Sequence, residues 1–269
     1  MKKSVLFIFI ITSFFSCKNE KKDNTTTTPT QHIAIPENIT KLMELAKKDS
    51  ANSDLQLKIV TSLDSIGLHK EALTKVDRLI NSDSLNNTLW LKRGQICKQL
   101  EDTAAAIKAF KYAARIYPTP PALMELANLY AETKNPLTIS VCNQLVKMNP
   151  GGNYNAQANF FAGIYFSKIG DNKNAIAAFD QSIGENIHFT EAYIEKGYIF
   201  FNAKKYPEAL KVFEQLTKVN QTSADGYYWQ AKCNEAMNHG ALAVSLYQKA
   251  LEFDPEIKEA TAAIERLKK

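Results

Sequence analysis

The chain has 269 residues, of which 45% are hydrophobic and 23% are charged, and its net charge is +5. This length and composition are typical of a folded chain with a sizeable core, and they exclude a wholly disordered protein. Lysine and arginine are interleaved with aspartate and glutamate instead of being concentrated in one stretch. The sequence therefore predicts no nucleic-acid interface.

The N-terminus has the pattern of an export signal. Lys2 and Lys3 precede an apolar run over 5–15, and Cys17 comes at the end of that run. The run is much shorter than the roughly 20 residues that a membrane-spanning helix needs. The segment resembles the lipobox of bacterial lipoproteins, which implies a signal peptide over 1–16 and lipidation at Cys17. A non-cleaved anchor or an ordinary signal peptide with an incidental cysteine is the alternative.

The resemblance to lipoproteins also implies where the chain is located. Acyl chains on Cys17 would hold it to a membrane without a spanning helix. The residue after Cys17 is Lys18, and in lipoproteins a lysine there does not indicate retention at the inner membrane. We therefore expect an outer membrane lipoprotein of the cell envelope.

Two segments separate Cys17 from the main part of the chain. Residues 17–35 are polar and low in complexity, with a run of threonines, so their composition predicts a disordered tether. Residues 36–52 then place Ile39, Leu42 and Leu45 on one side of a helix. This pattern predicts an N-terminal capping helix.

A 34-residue period organises most of the remaining chain. Alanines recur 34 residues apart, or 69 across one gap, at Ala72, Ala106, Ala175, Ala209 and Ala243. The period defines six repeats over 53–86, 87–120, 121–155, 156–189, 190–223 and 224–257. A small residue at the eighth position recurs as Gly94, Gly163, Gly197 and Ala231, and a large one at the twenty-fourth as Val76, Phe110, Phe179, Phe213 and Tyr247. Small residues that let helices approach, followed by a large residue that fills the remaining space, predict two packed helices per repeat.

The segment from Trp90 through Gly94, Ala106 and Phe110 to Pro118 resembles the tetratricopeptide repeat family. The resemblance implies an all-α fold, a right-handed α-solenoid of about six helix-turn-helix repeats with N- and C-terminal capping helices. Residues 258–269 would form the C-terminal cap, which keeps the end of the stack soluble. The third repeat departs from the pattern, and 150–155 read as a longer linker to the fourth.

The sequence contains no motif for catalysis or metal binding. Cys97, Cys142 and Cys233 are distributed without a paired spacing, and the first two fall at packing positions, so they are expected to be buried free thiols. The four histidines are scattered along the chain. We therefore expect neither an enzyme nor a bound cofactor nor a metal.

Positions two, five, nine and twelve of each repeat lie on one face of its first helix. In the proteins that this chain resembles, that face lines a concave groove. In the last three repeats the face and the adjacent position six are rich in apolar residues, and the predicted partner-binding groove comprises Phe160, Ile164, Ile194, Tyr198, Phe201, Tyr228 and Trp229. The alternative is that these side chains only pack between repeats, and for Phe160 the two interpretations are evenly balanced.

These features together predict a membrane-anchored scaffold of the bacterial cell envelope. Its groove would bind a protein or peptide partner, as an extended segment or a helix, and it would serve as an assembly factor for an envelope complex. The alternative function is an envelope accessory protein that binds a glycan or a small ligand through the same aromatic groove.

Overall fold

The computed structural model describes residues 35–49 and 52–268. The predicted signal peptide, Cys17 and all but the last residue of the predicted tether lie outside these residues. Within the described ranges every regular element is a helix, in the order α1 (Glu37–Lys48), α2 (Ser53–Ser65), α3 (His69–Ser82), α4 (Asn87–Gln99), α5 (Thr103–Ile116), α6 (Pro120–Glu132), α7 (Leu137–Met148), α8 (Gly152–Lys168), α9 (Asn172–Glu185), α10 (Thr190–Asn202), α11 (Tyr206–Val219), α12 (Ala224–Ala236), α13 (Gly240–Phe253) and α14 (Lys258–Leu267). The predicted all-α fold is confirmed.

Helices α2 to α13 form six helix-turn-helix pairs, and each helix packs mainly on its neighbours in the chain. The turn inside each pair contains one residue in the left-handed region of φ, namely Gly67, Glu101, Lys134, Gly170, Lys204 and Asn238. In the second pair the amide of Glu101 donates to Lys98 O and that of Asp102 to Cys97 O. These bonds satisfy the last carbonyls of α4 and end that helix. The Asp102 carboxylate then accepts from the amide of Ala105 and begins α5.

The periodic residues of the sequence form the core of each pair. The five alanines at the twentieth position and the rings of Phe110, Phe179 and Phe213 are fully buried. Gly94 lies so close to Phe110 that a Cβ atom added there would be 2.5 Å from the ring, and Gly163 and Gly197 lie equally close to Phe179 and Phe213. The repeat pattern of the sequence therefore arises from the contact between the two helices of each pair.

The junction between the third and fourth pairs differs from the sequence prediction. Helix α8 begins at Gly152, so only the first two residues of the predicted linker over 150–155 are outside a helix. Asn149 and Gly151 have positive φ and turn the chain between α7 and α8. Helix α8 also packs extensively against α6, whereas the other first helices of adjacent pairs barely touch. The first turn of α8 itself contacts the end of α9, where Asn186 Nδ2 donates to Asn153 Oδ1 at 2.9 Å and Asn155 Nδ2 donates to Glu185 Oε2 at 3.4 Å.

The two terminal helices cover the ends of the described stack. Helix α1 buries Ile39 and Ala46 against the first pair, and α14 buries Ala260 and Ala263 against the last. Arg266 of α14 also pairs with Glu235 of α12. None of the helices in the described ranges has the length and apolar character needed to cross a membrane.

Candidate functional site

The seven predicted groove residues lie on α8, α10 and α12, the first helices of the last three pairs. All seven are half-buried. Their side chains therefore take part in packing and still present some surface to solvent. The structure divides them into two groups.

The first group is a cluster of four aromatic rings, which we name the Trp229 cluster: Tyr198, Phe201, Tyr228 and Trp229. The Trp229 ring centroid lies 4.3 Å from that of Tyr198, 5.2 Å from Phe201 and 5.4 Å from Tyr228, each in an edge-to-face arrangement. Aromatic pairs favour this geometry. Trp229 also stacks on the buried ring of Phe213 at 5.9 Å. The Trp229 cluster thus joins α10 and α12 and rests on the core of the fifth pair.

The second group packs closer to the core. The Phe160 ring lies 5.7 Å from Phe179 and 5.3 Å from Phe189, and Ile164 joins the same apolar cluster. Ile194 packs against the apolar cluster formed by Tyr193, Val212 and Leu216. These three residues fill space between neighbouring helices, so their part in partner binding stays a prediction.

Carboxylates lie near both tyrosines of the Trp229 cluster. Burial, together with the charges of Glu195 and Asp225 and the neighbouring phenol of Tyr228, raises the pKa of Tyr198 to about 12. Burial and then the charges of Glu259, Glu235 and Asp225 raise the pKa of Tyr228. Both phenols therefore keep their protons at neutral pH, and the nearby carboxylates favour a cation over an anion beside these two rings.

Glu195 is the carboxylate that sequence reasoning missed. It lies half-buried on α10, and burial raises its pKa, as does the charge of Glu132, while Lys168 acts in the opposite direction. Along the sequence, interleaved charges of this kind indicate only a solvated helix surface. The signal that could have revealed Glu195 is its spacing of three residues from Tyr198, which places both on one helix face.

The thiols of the described part of the chain are buried. Cys97, Cys142 and Cys233 are free, and burial raises the pKa of Cys142 and of Cys233 to about 12. A thiol with such a pKa holds almost no nucleophilic thiolate at neutral pH. Among the described residues, no group of three or more His, Cys, Asp or Glu is arranged to hold a metal ion.

The family comparison decides what this arrangement of pairs is. A model described as a tetratricopeptide repeat matches residues 57–121, 161–224 and 194–256, which together make up more than half of the chain. The chain belongs to the tetratricopeptide repeat family. The prediction from the segment between Trp90 and Pro118 is thereby confirmed. Stacked helical repeats of this kind are scaffolds whose extended surfaces bind proteins or peptides.

Solved tetratricopeptide repeat structures resemble the fold. A tetratricopeptide repeat protein from Parabacteroides merdae has a TM-score of 0.61 at 17% identity, covering 86% of this chain and 91% of its own. PilW, described as a type IV pilus biogenesis factor, has a TM-score of 0.63 at 18% identity, and the match covers 79% of this chain and 98% of PilW. The C-terminal part of a tetratricopeptide repeat protein from Cytophaga hutchinsonii has a TM-score of 0.59 at 17% identity, and the match covers 73% of this chain and 78% of the other. Such low identities show a shared fold alone.

Proposed function

We propose that this protein is a membrane-anchored scaffold of the bacterial cell envelope that binds a protein partner along its last three helix pairs. The partner would lie on α8, α10 and α12 as an extended segment or a helix, and binding would serve the assembly of an envelope complex. The anchor would be a lipid on Cys17.

The Trp229 cluster is the observation that carries the proposal. Four aromatic side chains from two helices form one group, and each of them is half-buried. Phe213 already fills the core beneath Trp229, so the four rings are not needed to fill that space. Tyrosine and tryptophan are the side chains that most often anchor protein interfaces, because they bury a large area and retain a polar tip.

The assembly role has weaker support. PilW, whose structure resembles this one, is a type IV pilus biogenesis factor by its description. The likeness lies in the fold and not in a shared site, so it favours an envelope assembly role only by analogy. A glycan or small ligand on the same rings is the competing function.

In-cell photo-crosslinking tests the binding surface. A photoreactive benzoylphenylalanine replaces Trp229, since an aromatic substitute preserves much of the packing on Phe213. We expect one protein to crosslink in stoichiometric amounts and to be identified by mass spectrometry. The double change Tyr198→Asp and Trp229→Asp should abolish co-purification of that protein, because binding would bury two carboxylates among aromatic rings.

The matched control replaces two exposed apolar residues of the early repeats. Leu85 is 76% exposed and Tyr117 is 67% exposed, so Leu85→Asp with Tyr117→Asp adds the same charge away from the Trp229 cluster. The control should retain the partner, and all variants should keep the same helical circular dichroism. Capture that survives in the folded Tyr198 and Trp229 variant would refute the proposed surface, and retention of oligosaccharide instead of protein would favour the competing function.

Metabolic labelling tests the anchor independently. Cells expressing the full chain are grown with labelled palmitate, and the protein is isolated from the membrane fraction. We expect the label on the protein and its loss in Cys17→Ala, because that change removes the acylated thiol. Cys97→Ala is the control and should keep the label, since Cys97 is buried. Unlabelled native protein would contradict the lipid anchor.

A further inference from the structure

The rings of the Trp229 cluster share their helix faces with carboxylates. Glu195 lies three residues before Tyr198 on α10, and Asp225 lies three residues before Tyr228 and four before Trp229 on α12. Residues at these spacings are neighbours on a helix surface. The aromatic surface is therefore bordered by negative charge from both helices.

Glu195 and Asp225 have no ion-pair partner within the described ranges. Lys168, the cation whose charge acts on Glu195, is engaged with Glu132 at 2.9 Å. Arg266 of α14 is likewise engaged with Glu235. These two cations thus pair with carboxylates other than Glu195 and Asp225.

Burial and nearby carboxylates raise the pKa of both phenols of the cluster. The carboxylates are Glu195 and Asp225 at Tyr198, and Glu259, Glu235 and Asp225 at Tyr228. On α10 and α12, two carboxylates (Glu195 and Asp225) and one lysine (Lys232) lie three or four residues from a ring of the cluster, so negative charge is in excess at these spacings. A negative potential over aromatic faces favours a cation and disfavours an anion.

We infer that the Trp229 cluster docks a segment of the protein partner in which a lysine or arginine lies between apolar residues. The inference rests on the proposed function and specifies its partner. The cation would lie against the rings of Tyr198 and Trp229 and compensate Glu195 and Asp225, while the apolar neighbours cover the remaining aromatic surface. An acidic segment would meet uncompensated like charge and be rejected.

Binding of designed peptides to the full chain tests this partner chemistry. The probes are short fluorescein-labelled peptides of alternating leucine and lysine, and matched peptides with glutamine or glutamate in place of lysine. Fluorescence anisotropy should show the lysine peptide binding about tenfold more tightly than the glutamine peptide, and the glutamate peptide more weakly still. The preference should shrink at high salt, which screens the charges.

A pair of matched variants locates the effect. Glu195→Gln with Asp225→Asn should remove most of the preference for lysine. Glu208→Gln with Glu214→Gln removes two exposed carboxylates from α11 and should leave the preference intact. Equal loss in both variants, equal binding of the three peptides, or no peptide binding would overturn the inference.

Failure of this inference is distinguishable from failure of the proposed function. A specific crosslinked protein at position 229, combined with no preference for lysine, would preserve the scaffold role and reject the cationic partner. Loss of both results would reject both. Concentration-dependent self-association of the chain, if abolished by Trp229→Asp, would assign the surface to a second copy and overturn the inference.

Discussion

Single glycines determine how closely the two helices of a pair approach. At Gly197 an added Cβ would lie closer than 3.0 Å to three carbons of the Phe213 ring, which is fully buried. Cβ atoms do not tolerate such contacts, and a ring packed on all sides cannot move aside easily. The glycine thus marks a contact between helices and not a flexible point in α10.

The direction in which Gly197→Ala changes the stability of the fold tests this role. Alanine is the better helix former by about 1 kcal/mol, whereas overpacking a core costs about 1 to 3 kcal/mol. We expect overpacking to dominate, so the variant should have a lower melting temperature by circular dichroism. Gly184→Ala is the control, because nothing lies within 4 Å of its added Cβ, and it should be neutral or slightly stabilising. A stabilised Gly197→Ala would contradict the close packing inferred for this position.

An ion pair between Asp64 and Lys92 connects the first helix pair to the second. Asp64 at the end of α2 accepts a hydrogen bond from Lys92 of α4 at 2.7 Å, and its other oxygen lies 2.7 Å from Nδ1 of His69 at the start of α3. Asp64 and Lys92 are 13% and 14% exposed at their side chains. Burial alone would raise the pKa of Asp64, but the hydrogen bonds from Lys92 and His69 outweigh it and lower that pKa below its usual value.

The lowered pKa predicts a pH-dependent contribution to stability. Because the folded-state pKa of Asp64 lies below its unfolded value, the contribution is fully present above about pH 4 and is lost as pH falls through the folded-state pKa. At pH 7 Asp64→Asn should cost about 1 to 3 kcal/mol, since it leaves Lys92 without its charged partner. Urea titrations at pH 7 and pH 3 should show the difference from the native chain shrinking at the lower pH.

Asp180→Asn provides the comparison. Asp180 pairs with Lys196 at 2.6 Å, but its side chain is 52% exposed. Exposed pairs contribute roughly 0 to 1 kcal/mol, so this change should be nearly neutral at either pH. A loss as large as that of Asp64→Asn would show that burial is not what makes the Asp64 interaction strong.

Across the whole molecule, the sequence predicts the core inside each helix pair, because that core repeats. It does not predict the contacts that form outside this repeating core. The spacing from Gly197 to Phe213 recurs in other repeats, so the core of each pair is visible as a period. The start of α8 is not, because Pro150 and two glycines favour a loop, whereas the first turn of the helix contacts residues at the end of α9 that are distant in sequence. The same limit applies to Glu195, because the sequence does not show that the nearby Lys168 of α8 pairs with Glu132 of α6 instead.

The packing of each helix mainly on its sequence neighbours has a mechanical consequence. A pull between the two ends of the described chain would pass through every helix pair in series, because distant pairs share little of the load. The weakest pair would yield first and lengthen the molecule while the others stay folded. A chain held at one end and pulled at the other would then lengthen in steps, because its helix pairs unfold one after another and not all at once.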